Sequence, residues 1–289
     1  MAMIEALPVH VARLTREALE EEPAVWPRLG LVGPEDCGSH RDMDIAHFSA
    51  SAAALEPYFA DIVRLGLGRG RVDGPARSQA RALGLVAERT MLAATGGRNT
   101  HKGAVFLLGV FLLSWAAGQC SIGTVSVTTS LRRAARAYGP ALLDELPRLR
   151  AEDSYGAWAF RRHRAAGMRG LVLADFAPLL AVWHHSCALE RRRVGALAAR
   201  LGSARLLAAA LSDDTNLLKR AGWRAREALR GEIHGLWRRG GPLDPRNARE
   251  LAALELRVET MGWSAAASGD LLAAILLFRK LCAEGLARP

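Results

Sequence analysis

The sequence is poor in lysine, cysteine and tyrosine, and each shortage excludes something. Its three lysines are Lys102, Lys219 and Lys280, so the net charge of +10 rests almost wholly on arginine. Such a lopsided ratio follows codon composition as readily as it follows a polyanionic partner. The densest basic runs, FRRHR (160–164) and ERRRVG (190–195), read as solvated helix faces, and no nucleic-acid partner is expected. The four cysteines, Cys37, Cys120, Cys187 and Cys282, lie far apart without a CxxC. That excludes a zinc knuckle and fits free thiols in a reducing compartment. Glu5 and Pro8 stand where a secretory leader would be basic and then apolar, so a cytoplasmic location is expected. The one membrane-like run, AVFLLGVFLLSWAAG (104–118), carries no charge but is shorter than the roughly 20 apolar residues of a membrane span. It reads as a buried core helix, with no membrane partner. Strand formers are also few; TVSVTTS (124–130) is the one β-branched run and reads as a helix start or loop.

What the sequence has is Ala, Leu and Arg, all helix formers, in a chain that is 50% hydrophobic. The reading is all-α: one compact multi-helix domain over residues 1–289 around a buried central apolar helix. Helices are expected near 9–22, 43–66, 78–94, 103–119, 129–138, 140–149, 170–201 (broken near Pro178), 203–211, 214–239, 245–260 and 268–286. Residues 22–40 and 66–79 read as loops. The apolar helix set leaves a homodimer open.

Polar chemistry is densest in TGGRNTHKGAVF (95–106). Gly96 and Gly97 permit positive φ and uncovered N–H groups ahead of a helix, which suits an anion. Asn99, Thr100, His101 and Lys102 add donors. A polar cap before a core helix is the competing reading, and the spacing is not that of a Walker loop. In the preceding helix Arg81, Gly84, Glu88, Met91 and Thr95 share one stripe, while Leu83, Val86, Ala87, Ala93 and Ala94 are expected to pack inward. Gly84 suggests close approach of another group, and the stripe is expected to line a cleft. In GSHRDMDIAHF (38–48), Asp42 and Asp44 suit either a helix N-terminus or magnesium. His40, Asp44 and His47 share helical spacing, but zinc lacks a fourth ligand. In SDDTNLLKRAG (212–222), Asp213 and Asp214 read as an N-cap with a metal or ribose role open. SAAASGDLLAAILLF (264–278) reads as a buried C-terminal helix.

In order along the chain, these stretches resemble the triphosphoribosyl-dephospho-CoA synthase family, which serves the prosthetic group of citrate lyase and malonate decarboxylase. Pro27 to Val32 and Gly38 to Asp44 match its first motifs. Arg81, Gly84, Glu88 and Met91 match Arg-x-x-Gly-x-x-x-Glu-x-x-Met. Thr95 to Ala104 match Thr-Gly-Gly-Val-Asn-Thr-His-Lys/Arg-Gly-Ala, with Arg98 for Val. Asp214, Thr215, Asn216 and Arg220 match Asp-Thr-Asn and its following Arg. The second half departs. Ser154-Tyr155-Gly156 replaces Thr/Ser-His-Gly, Gly170 to Asp175 lacks the Arg and Glu of Gly-Ala-Arg-x-Glu-Ala, and Ser264 to Asp270 lacks the paired glycines of Ser-Pro-Gly-Gly-Ser-Ala-Asp.

The resemblance implies transfer of the triphosphoribosyl group of ATP to the ribose 2′-hydroxyl of 3′-dephospho-CoA, with release of adenine. It implies an anion clamp, carried onto Arg81, Thr95, Gly96, Gly97, Asn99, Thr100, His101, Lys102, Asn216 and Arg220. It implies magnesium at Asp42, Asp44 and Glu88, and a carboxylate among Glu88, Asp42 and Asp214 to activate the hydroxyl or stabilise an oxocarbenium-like centre. Arg81 is expected to bind phosphate or orient Glu88. The departures leave two alternatives: a paralogue with another acceptor, for example in methanopterin-type one-carbon cofactor synthesis, and a non-catalytic helical binding protein.

Overall fold

The period of apolar residues and the caps that bound it produce an all-α fold. The computed structural model describes residues 2–151 and 155–289, and Ser154 of the altered Ser-Tyr-Gly stretch lies outside them. Among the described residues there are twelve α-helices: α1 (Ala2–Glu21), α2 (Ile45–Arg69), α3 (Gly74–Ala94), α4 (Lys102–Ile122), α5 (Val127–Glu145), α6 (Tyr155–His163), α7 (Met168–Leu173), α8 (Ala177–Arg191), α9 (Leu197–Leu211), α10 (Thr215–Arg238), α11 (Ala248–Thr260) and α12 (Ala266–Ala283). The only extended pairing described is an isolated bridge between Ser126 and Arg288.

Side-chain caps set the key starts. Asp44, Asp73, Ser126 and Asp214 each accept a backbone N–H from the first turn of α2, α3, α5 and α10. The expected 66–79 loop shrinks to four residues, because α2 runs on to Arg69 and Asp73 starts α3. The two helices expected at 129–138 and 140–149 are one, since α5 continues through Pro140. The break expected near Pro178 falls just before it, where Asp175 and Phe176 take positive φ between α7 and α8.

α4 is the central helix. Leu107, Leu108, Phe111, Leu112, Leu113, Trp115 and Ala116 are fully buried. It is the one described helix long and apolar enough to span a membrane, and it is mostly covered by protein. α2 lies close against it because side chains are missing at the crossing. A methyl at Gly109 would overlap the Tyr58 hydroxyl, and one at Gly66 would press on Ala116 and Leu113. The Tyr58 hydroxyl donates to the Val105 carbonyl at 3.0 Å at the same crossing. A large core gathers α1 to α5, α7 to α9 and α12; a second joins Leu29 to residues of α9, α10 and α11. α9 contributes to both.

Candidate active site

One cavity of about 1140 Å³ is lined by residues from nearly every motif singled out in the sequence. Asp42, Arg81, Gly84, Glu88, Asn99, Thr100, His101, Lys102, Asp214, Asn216 and Arg220 all face it. Asp44, Thr95, Gly96 and Gly97 do not.

The 95–101 turn shows why. Gly96 and Gly97 take φ of 59° and 85°, as expected, but the Gly97 N–H closes the end of α3 on the Leu92 carbonyl at 2.7 Å. Thr95 is buried and its hydroxyl donates within the turn, to the Met91 carbonyl at 2.9 Å. These three residues shape the turn, and the part that faces the cavity begins at Asn99. The Asn99 Oδ1 caps the Lys102 N–H at 3.1 Å. The Lys102 ammonium reaches Glu88 at 2.8 Å. Arg98, the departure from the family pattern, donates from Nε to the Asp42 carbonyl and ties this turn to the 38–44 loop.

His101 is buried, and burial pulls its pKa down to about 4, so the ring is neutral. Its Nδ1 lies 2.7 Å from the Ser51 hydroxyl, and its Nε2 has no hydrogen-bond partner among the described residues. The Thr100 hydroxyl beside it is also buried without one. A neutral ring nitrogen, a hydroxyl and a lysine thus converge on the start of α4.

Arg81, Gly84 and Glu88 of the α3 stripe face the cavity, but Met91 and Thr95 are buried and the rest of that helix also corrects the expectation. Ala80, Ala87 and Met91 carry the packing, while Val86, Ala93 and Ala94 are exposed. Arg81 pairs with Glu145 at 3.2 Å and leaves Glu88 to Lys102. A Cβ at Gly84 would meet nothing nearer than the Tyr58 hydroxyl at 3.8 Å, so this glycine leaves room in the cavity rather than admitting a helix.

Asp44 is the capping residue of α2, bonded to the His47 N–H and, at 2.6 Å, to its Nδ1, which holds its pKa low. Asp42 instead stands beside His40 at 3.8 Å. His40 is bonded to Ser264 and Arg220, at 3.0 Å and 3.2 Å, and burial lowers its pKa. Among the described residues, no group of three or more His, Cys, Asp or Glu side chains is arranged to hold a metal. Asp42 and Glu88 line the cavity and Asp44 does not, and each of the three is turned to a different partner.

Asp214 uses both oxygens structurally. Oδ1 accepts the Leu217 N–H of α10 at 2.8 Å and Oδ2 the Ala267 N–H of α12 at 2.9 Å. Burial still drives its pKa up to about 6. Asp213 holds Arg226 at 2.5 Å and the Ala166 N–H at 2.8 Å. Arg220 donates to the Ser39 carbonyl at 2.6 Å, joining α10 to the 38–44 loop.

Residues not singled out complete the wall: Glu22, Tyr58, Arg77, Glu145, Lys219 and Asp270. Tyr155, in place of the family histidine, also lines it; Lys219 lies over its ring at 5.3 Å. Asp270 sits against the first turn of α4, where only a glycine fits, since a Cβ at Gly103 would overlap its carboxylate. The sequence signal for Asp270 was its survival in an otherwise altered motif; Glu22 gave none.

The chain matches the model of the ATP:dephospho-CoA triphosphoribosyl transferase family over residues 8–288. A relative from Vibrio cholerae serotype O1, named "Probable 2-(5''-triphosphoribosyl)-3'-dephosphocoenzyme-A synthase", is 31% identical across 96% of this chain and 89% of its own. Relatives of the same name from Pseudomonas putida and Stutzerimonas stutzeri are 31% and 33% identical, covering 95% and 94% of this chain and 95% and 91% of theirs. No solved structure matches it.

Proposed function

The chain belongs to the ATP:dephospho-CoA triphosphoribosyl transferase family, and from that premise we propose that the α3–α4 cavity is where the transfer takes place. The protein is an enzyme that moves the triphosphoribosyl group of ATP to the 2′-hydroxyl of dephospho-CoA and releases adenine. The observation that carries the siting is a single one. Segments at 40–42, 81–88, 99–103 and 213–220, remote in sequence, meet in one wall. The cavity, about 1140 Å³, exceeds the roughly 300–1,000 Å³ of ordinary small-molecule pockets, as two nucleotide substrates require.

In this reading the triphosphate lies on Lys102, the His101 Nε2–H and the Thr100 hydroxyl, with Asn99 fixing the first turn of α4. Arg220, Lys219 and Asn216 close the other side. Glu88, held by Lys102, accepts the proton of the attacking 2′-hydroxyl. The C1′–N9 bond of ATP breaks as the C1′–O2′ bond forms, and positive charge gathers at C1′ between them. Asp214 accepts one N–H on each oxygen and ties α10 to α12, which makes it a positioning residue in this reading and leaves the base to Glu88.

Magnesium enters with the triphosphate, not as a resident ion. The cation keeps most of its waters and needs only one or two protein carboxylates. Asp42 and Glu88, both in the wall, are the ones it would meet. Its chemistry there is neutralisation of phosphate charge.

The test is adenine release from ATP and magnesium, with and without dephospho-CoA. Release that depends on dephospho-CoA is expected; ATP binding without it would point to another acceptor. Glu88→Gln should lower kcat by roughly 10²–10⁴, the usual contribution of a general base, with the unfolding temperature unchanged. Retained turnover would remove Glu88 from that role.

A further inference from the structure

The first turn of α4 has a carboxyl on each side. Glu88 reaches Lys102, and Asp270 reaches the adjacent Gly103 and the Ala104 N–H. The two differ in company. Glu88 has a cation. Asp270 faces Glu22 and Asp214, both carboxyls, and the cations beside those two, Arg205 and Arg226, pair with Glu22 and Asp213. Asp270 is half-buried and its place in the wall gives it access to whatever the cavity holds. Gly103 is the device that admits it.

A glycosyl transfer needs two such groups. One takes the proton of the incoming hydroxyl, and the other supplies a proton to the departing base, because an adenine anion is a poor leaving group. We propose that Asp270 is the general acid of this reaction, donating its proton to a ring nitrogen of adenine as the C1′–N9 bond breaks. The N9 electron pair stays with the base, which leaves as neutral adenine. The 2′-hydroxyl proton goes to Glu88 and then to water, and water returns one to Asp270. No other reactant is required. Burial first, then Glu22 and Asp214, raises the Asp270 pKa well above its ordinary value, which favours the protonated form that a donor needs. A mere cap on α4 would call for the ionised form instead.

This inference rests on the family reaction, and the test separates the two. Wild-type enzyme is assayed with ATP and with 7-methyl-ATP, whose base is already cationic and leaves without protonation. Dephospho-CoA-dependent release by wild type checks the reaction itself. With ATP, Asp270→Asn should lose roughly 10²–10⁴ in kcat. With 7-methyl-ATP it should stay within about tenfold of wild type, which also shows that the variant folds. The fall in wild-type kcat at high pH should be absent from the residual rate of the variant. Equal losses with both donors would mean a structural role and overturn the proposal, as would a loss below tenfold with ATP.

Discussion

At the scale of single residues, the pairing of Ser51 with His101 decides what the motif histidine can do. Burial leaves the ring neutral, so in the proposed site it would meet phosphate as a hydrogen-bond donor and not as a cation. A Ser51 hydroxyl that donates to Nδ1 would place the ring proton on Nε2, the nitrogen without a partner among the described residues. Ser51→Ala frees the tautomer. One neutral hydrogen bond is worth about 1 kcal/mol, so KM for ATP should rise about fivefold with kcat little changed. The tautomer itself is read from the imidazole nitrogen shifts; an unchanged Nε2–H form would separate Ser51 from this role. His101, Lys102 and Asn99 were legible because they are contiguous. Ser51 was not, because it lies 50 positions away in a run of Ala and Ser that reads only as helix.

At the scale of elements, the helices were legible from their period and caps, but their facing was less so. Of the α3 stripe Arg81, Gly84 and Glu88 line the cavity while Met91 and Thr95 are buried, and Val86, Ala93 and Ala94, assigned inward on apolarity alone, turned out exposed. Apolar character says a residue tolerates burial, not that a neighbour exists to bury it. Asp214 shows the reverse case, a charge-bearing residue placed inside. It fastens the start of α10 to the start of α12, and that second bond joins residues 53 apart, which no local pattern encodes. Its pKa is about 6 in the folded chain against 3.8 when free. Between those values the unfolded chain ionises first, so this group makes the fold less stable as pH rises from about 4 to 6. A shift of that size corresponds to about 3 kcal/mol at most. Asp214→Asn cannot ionise and loses one acceptor. Wild type should therefore be the more stable at pH 4.5, with the gap narrowing by pH 7 in urea unfolding. A gap that widened with pH would contradict the shift.

At the scale of the whole molecule, the two cores are joined through α9 and through one buried ion pair. Arg205, fully buried on α9, binds Glu22 in the turn after α1 and donates to the Glu22 carbonyl at 2.6 Å. Glu22 in turn lies in the cavity wall and acts on Asp270, so this pair adjoins the proposed general acid. Sequence could not reveal it: the partners stand 183 residues apart, and an isolated Glu and Arg in helical stretches read as surface. The pair is expensive to bury. Burial raises the Glu22 pKa despite Arg205 and lowers that of Arg205 despite Glu22, so desolvation outweighs their attraction from both sides. Removing one partner leaves the other charge stranded, and Glu22→Leu should cost about 3–5 kcal/mol in urea unfolding. Replacing both, as Glu22→Leu with Arg205→Met, removes the stranded charge and should restore stability to wild type or above. The same double variant should lose activity, because Asp270 then lacks one of the two carboxyls that keep its proton in place. If the double variant were as unstable as Glu22→Leu, the pair would be a net source of stability and not a positional device for the site.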